Sequence, residues 1–190
     1  LTAWRSAPAP VDLERLTIDW IRQILGFDSG AGGLFVSGGS MANFAGLAAA
    51  RKTKSESSSD LHIYASRETH FSIAKAAGLL GIGRENVREV AVDESFRIRT
   101  DDLVAQITAD LKSGHIPFCV VANAGTVNTG AVDPLAEIRE IADRFRLWMH
   151  VDGSYGAFAI LAKSARSLFA GLGQADSVAL DPHKWLYLPV

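Results

Sequence analysis

The feature that most constrains this chain is an alternation of short apolar runs with longer stretches of helical spacing, repeated from residue 61 to the carboxyl end. The apolar runs at 61–65, 87–92, 118–122, 147–151 and 177–180 have the length of buried strands. Residues 72–80, 101–112 and 134–145 between them carry apolar positions at helical spacing. A strand followed by a helix and another strand is the unit that crosses over between parallel neighbours. The pattern therefore predicts an α/β domain with a mainly parallel sheet flanked by helices on both faces.

Upstream of the alternation, residues 1–10 are rich in Pro and Ala and are expected to be an extended N-terminal segment, since each Pro lacks an amide donor and restricts its predecessor. Residues 11–190 are expected to form one domain. Leu13, Leu16, Trp20, Ile21 and Ile24 predict a helix over 11–25 that packs by one face and stops at Gly26. Leu34-Phe35-Val36 reads as a short strand, Ser37-Gly38-Gly39-Ser40 as a turn, and 41–51 as an Ala-rich helix. Residues 52–60, crowded with Lys, Ser and Glu, predict a mobile surface loop. Leu1 stands where an initiator Met would, and Val190 ends in mid-pattern, so the chain reads as an internal stretch of something longer.

Composition narrows the function by exclusion. A net charge of −2, with acids and bases interspersed, gives no footprint for nucleic acid or an anionic membrane. No run approaches the ~20 apolar residues a membrane helix needs. The single cysteine, Cys119, lies in the apolar run Phe118-Cys119-Val120-Val121 and has no disulfide partner, which fits a reducing, cytoplasmic compartment.

In an open α/β sheet ligands gather at the carboxyl ends of the strands, which gives weight to four places. Gly38-Gly39-Ser40-Met41-Ala42-Asn43 can cradle an anion on glycine backbone and a helix start, or be a plain turn capped by Ser40. It lacks the spacing of a dinucleotide fingerprint and of a P-loop. In Val151-Asp152-Gly153-Ser154-Tyr155-Gly156 a carboxylate ends an apolar strand. Such a group needs a partner, either a protonated pyridine nitrogen or a turn that it caps. In Asp181-Pro182-His183-Lys184-Trp185 a lysine follows a strand among apolar neighbours, where desolvation frees the amine as a nucleophile unless the side chain snorkels to solvent. His70, in Glu68-Thr69-His70-Phe71-Ser72, can stack on a flat ring or cap the next helix. His62, His115 and His150 show no metal-ligand spacing and read as structural, so no metal is expected.

In this order, these elements resemble the group II pyridoxal 5′-phosphate (PLP) dependent amino-acid decarboxylases, the family of aromatic-amino-acid, glutamate and diaminobutyrate decarboxylases. The resemblance extends over essentially the whole chain. Its most specific parts are Asn123-Ala124-Gly125-Thr126, His150-Val151-Asp152, and Ser177-Val178 followed by His183-Lys184-Trp185. It implies the PLP-dependent transferase fold of type I, with this chain as an incomplete PLP-binding large domain. On that resemblance Lys184 forms the Schiff base with PLP, Asp152 faces the pyridine nitrogen and His70 stacks on the ring. Ser40, Met41 and Ala42 form the phosphate-binding turn, His183 lies close to the phosphate, and Thr126 and Ser154 line the cofactor. Val127 departs from the family's frequent Thr, and Ser154 from its frequent Ala. Asp181, where some relatives carry Asn, is a weaker site candidate.

The implied reaction is decarboxylation of an L-amino acid, with a lean towards an aromatic one, by a cytoplasmic homodimer. Another fold-type I lyase or aldehyde-forming relative is the second reading, and a catalytically silent PLP-binding or dimerising remnant is the third.

Overall fold

The computed structural model describes residues 5–53 and 60–189. Five strands form one sheet: β1 Leu61–Ser66, β2 Val87–Val90, β3 Ile116–Asn123, β4 Trp148–Asp152 and β5 Ser177–Ala179. Their order is β2-β1-β3-β4-β5, and every neighbouring pair is parallel. The helices are α1 Pro8–Leu25, α2 Gly39–Lys52, α3 Ser72–Leu79, α4 Thr100–Lys112 and α5 Leu135–Phe145. Short 3-10 turns connect β4 to β5.

The strand order and the rule of right-handed crossovers together fix which helix lies on which face. From β1 to β2 the chain steps one way across the sheet. From β2 to β3, and again from β3 to β4, it steps the other way, so α3 lies on one face and α4 and α5 on the other. The cores agree. Ile63, Ala65, Cys119 and Val121 pack with Leu47 of α2 and Ile73 and Ala76 of α3. Tyr64, Val120, Ala122, Met149 and Val151 pack with Leu103 and Ile107 of α4 and Ile138 of α5. Because both faces of β1, β3 and β4 are covered, their sequences run nearly continuously apolar. The reversal of direction between β1 and β3 opens a crevice at the carboxyl ends of the strands, where α/β sheets bind ligands.

Three expectations are corrected. The extended N-terminal segment does not reach residue 10: α1 begins at Pro8, because the first turn of a helix needs no amide donors and tolerates proline. Residues 2–4 of that segment, and 54–59 of the expected loop, lie outside the described residues. Leu34-Phe35-Val36 is not a strand. It pairs with no sheet edge, and the Phe35 amide instead donates to Glu14 Oε1 of α1 at 2.7 Å. Ser40 is not an N-cap: α2 is capped by Gly38 (φ 120°) and Ser40 sits inside its first turn.

Candidate active site

A cavity of about 570 Å³ opens at the carboxyl ends of β1, β3, β4 and β5, a size within the roughly 300–1,000 Å³ typical of small-molecule sites. Ser40, His70, Thr126, Asp152, Ser154 and Lys184 all line it, drawn together from positions 144 residues apart at the extremes. Met41, Ala42 and His183 do not line it. The amides of Met41 and Ala42 both donate to the Gly38 carbonyl at 3.0 Å, so they are spent inside the helix. The amides of Gly39 and Ser40, one turn earlier, have no carbonyl within α2 to bond and are the anion donors this helix offers. Of the three residues expected in the phosphate turn, Ser40 is the one whose amide the helix leaves unused.

Asp152 ends β4 nearly buried, at 7% exposure, and its carboxylate is held from two sides. Oδ2 accepts from Asn43 Nδ2 at 2.8 Å, and Oδ1 accepts from the Ser154 amide at 3.1 Å. Asn43 Nδ2 also donates to Ser72 Oγ at 3.0 Å. With its amide nitrogen committed to two acceptors, Asn43 Oδ1 must accept, and it does so from His150 Nε2 at 3.0 Å. His150 Nδ1 then accepts from Ser177 Oγ at 2.8 Å, and Ser177 Oγ accepts from Trp148 Nε1 at 2.8 Å. The direction of every bond from Trp148 to Asp152 is therefore determined, and His150 is neutral with its proton on Nε2. A second branch fixes His70: its Nδ1 accepts from the Ser72 amide at 3.3 Å, so Ser72 Oγ, 2.8 Å away, gives it a proton as well. His70 thus carries its hydrogen on Nε2.

Asn43 and His150 were missed as site residues in the sequence. Asn43 reads as one polar residue in an Ala-rich helix, and His150 as a strand histidine, because the sheet alone brings them to Asp152. The one local signal is Gly46, a helix turn after Asn43. A Cβ there would lie 2.5 Å from His150 Cε1, so only glycine lets α2 approach this close.

Burial pushes His150 down from 6.5 to about 4, opposed by the nearby Asp152 charge. An unfolded chain takes up a proton here that the folded chain refuses. Stability is therefore intact above pH 6.5 and falls as the pH drops from 6.5 towards about 4. His150→Gln, which can keep one donor and one acceptor, is expected to flatten this acid loss. Urea midpoints measured between pH 7 and pH 5 on the full-length protein check it, and equal slopes in both proteins would contradict the assignment.

On the opposite wall Asn123, at the end of β3, donates to Thr69 Oγ1 at 3.0 Å and to Asp133 Oδ2 at 3.0 Å. Asp133 is buried and also accepts from the Asn123 and Ile98 amides. Burial pushes its carboxyl up in spite of these donors. Thr126 Oγ1 pairs with Thr129 Oγ1 at 2.6 Å. Asp181 faces Lys184 Nζ at 3.4 Å and His183 Nδ1 at 2.6 Å, so its carboxylate turns to the amine and the imidazole beside it.

Two features of the cavity fit a PLP molecule. Ser154 Oγ is buried with no hydrogen-bond partner, a hydroxyl left for a ligand. Gly39 leaves a hollow whose filling by a Cβ would bring it to 2.8 Å from Ser154 Oγ and 3.3 Å from Asp181 Oδ2. A charged carboxylate, a primary amine, an imidazole and a helix amino end around one hollow match a ligand with a basic ring nitrogen, an aldehyde and a phosphate.

The parallel sheet and its flanking helices are the fold of the fold-type I, PLP-dependent class. The chain belongs to the pyridoxal-dependent decarboxylase family, whose conserved domain matches residues 1–190. It is 44% identical over 189 residues to the aromatic-L-amino-acid decarboxylase of Bacillus atrophaeus, covering 99% of this chain and 39% of that protein. It is 34% identical to the 4-hydroxyphenylacetaldehyde synthase of Rhodiola rosea, covering 96% of this chain and 40% of that protein. Among solved structures it superposes on mouse CSAD with a TM-score of 0.92 at 36% identity, covering 97% of this chain and 40% of that one. The chain thus spans about 40% of the length of these relatives.

Proposed function

We propose that the protein containing this chain is a PLP-dependent carboxy-lyase that converts an aromatic L-amino acid to its amine and carbon dioxide. The observation that carries this reading is the convergence of Lys184 and the doubly held Asp152 on one cavity. The 44% identity to an aromatic-L-amino-acid decarboxylase supports the substrate class, as do Phe71 and Tyr155 in the cavity wall.

When bound, PLP supplies an electron sink for the pair left on the α-carbon as the carboxylate departs. The chain's residues serve that chemistry by position. Lys184 would offer the amine that holds the cofactor covalently, with Asp181 Oδ2 3.4 Å from its Nζ. Asp152 keeps a negative charge fixed in a nearly buried wall, where it stabilises a protonated ring nitrogen far better than it would in water. The Gly39 and Ser40 amides and the α2 dipole take the phosphate, with His183 nearby. His70 presents its ring and an Nε2 proton to the cavity, and Thr126 and Ser154 add hydroxyls at the rim.

Borohydride reduction of the full-length protein with PLP, followed by peptide mass analysis, is expected to find the cofactor's mass fixed on Lys184. Lys184→Ala should lose that mass and the associated visible absorption. A folded protein with no trapped cofactor overturns the proposal. Equal release of carbon dioxide and amine from an aromatic amino acid supports the lyase. Aldehyde and ammonia in place of the amine would favour the reading suggested by the Rhodiola relative.

The same reading makes the enzyme a cytoplasmic homodimer. It is supported by the apolar face of α1, where Leu13, Leu16 and Trp20 stand 46–64% exposed, and by the burial of Cys119 in the sheet. No helix among the described residues is long and apolar enough to cross a membrane.

A further inference from the structure

We infer that Asp60, His62 and His115 form a binding site for a zinc-like divalent transition metal, at the end of the sheet opposite the cofactor cavity. One ligand atom from each of the three lies within 4.8 Å of the others. His115 Nδ1 is 3.0 Å from both Asp60 oxygens, and His62 Nε2 is 3.4 Å from Asp60 Oδ1. Donors about 2.0–2.1 Å from a tetrahedral zinc are ~3.3 Å apart, so the side chains need little movement to close on an ion.

The strongest sign is His62. It is 2% exposed, yet among the described residues neither ring nitrogen makes a hydrogen bond, the nearest approach given being the 3.4 Å from Nε2 to Asp60 Oδ1. A buried imidazole left in this way carries its desolvation cost uncompensated, which native structures seldom do without a ligand to offset it. Its ring meets that of His115 edge-on at 4.5 Å, so both imidazoles turn towards the same carboxylate. The charges of Arg88 and Asp110 both bear on His62. The Arg88 charge is itself answered by Asp110, which it grips through two bonds of 2.9 Å and which also accepts from Tyr64 at 2.7 Å.

Topology explains why the sequence concealed this site, where both histidines read as structural. Asp60 immediately precedes β1 and His62 is its second residue, while His115 immediately precedes β3, more than 50 residues on. The backbone bond from the Ile116 amide to the Asp60 carbonyl, 3.0 Å, brings the two strand starts together. Two imidazoles and one carboxylate, with a fourth position open to water, suit zinc and disfavour magnesium or calcium, which prefer all-oxygen shells. His62 lies four residues before the cavity end of β1, about 13 Å along the strand, so an ion here would clip β1 to β3 without touching the cofactor.

The test uses the full-length protein, stripped with a chelator and titrated with Zn²⁺ against a chromophoric competitor. One equivalent is expected to bind and to raise the thermal midpoint. His115→Ala and Asp60→Asn, at partly exposed positions that folding tolerates, should each weaken binding by at least roughly 100-fold and abolish the thermal shift. His62→Gln should do the same if it folds. The visible absorption of bound PLP should be unchanged by zinc and by these substitutions. No zinc bound by the parent, or one equivalent retained at equal affinity in both His115→Ala and Asp60→Asn, overturns the inference.

Discussion

Asp152→Asn is expected to reduce turnover of the full-length enzyme by at least roughly 10²–10³-fold while leaving the fold intact, the scale seen when one preorganised charge or donor is removed from an active site. The substitution is close to isosteric, and one side-chain oxygen can still accept from Asn43 Nδ2 or from the Ser154 amide, though not from both. The structural cost is therefore about 1–3 kcal/mol, the penalty of one donor left unpaired. The catalytic cost is larger, because a neutral amide cannot hold a proton on a ring nitrogen. Measuring kcat beside the urea midpoint separates the two effects. A variant with near-normal turnover would remove Asp152 from the proposed role. Asn43→Ala supplies a graded comparison: it keeps the charge but loosens its orientation, and should lower kcat less than Asp152→Asn does.

Gly125→Ala is expected to be the most destabilising of the small substitutions near the site, by about 3–5 kcal/mol, a large part of the ~5–15 kcal/mol that holds a domain folded. Two costs add. Gly125 has φ +89°, a conformation that side chains rarely adopt. Its Cβ would also lie 2.7 Å from the Gly156 Cα, a backbone atom that no rotamer change can move aside. Gly130→Ala isolates the first cost, since Gly130 has φ +71° and nothing within 4 Å of the added atom. Urea midpoints of the two variants should differ by the steric cost, and equal losses would refute the close-contact argument. Gly125 and Gly156 follow β3 and β4, and their contact joins the two loops beside the cavity, so cofactor occupancy should fall with stability in Gly125→Ala alone.

Much of this was legible in the residues because each sign was local. The apolar runs of β1, β3 and β4 are nearly unbroken since both faces of each strand are covered, and that alone marked a parallel sheet. Asp152, Lys184 and His70 were visible because each follows a strand-like run, where an α/β sheet places its chemistry. The misreadings were equally physical. Leu34-Phe35-Val36 has strand composition, but a strand exists only where a neighbour offers a ladder. Pro8 and Pro10 suggested extended chain, yet the first turn of a helix has no use for the amide that proline lacks. Met41 and Ala42 were placed in the phosphate turn by resemblance, and their amides proved to be committed to Gly38.

The sequence by itself determined the class of fold, the family, and the four segments that meet at the cavity, because hydrophobic period and short motifs are properties of neighbours along the chain. Tertiary structure alone decided which distant groups hold those segments in place. The relay from Trp148 to Asp152 joins a helix near the amino end to two strands more than 100 residues away, and only the folded sheet makes them adjacent. The same is true of Asp181 turning to Lys184, and of Asp60, His62 and His115 meeting at the far edge. A hydrogen bond or a metal ligand set depends on distances of about 3 Å, and those are fixed by packing across elements rather than by order along the chain.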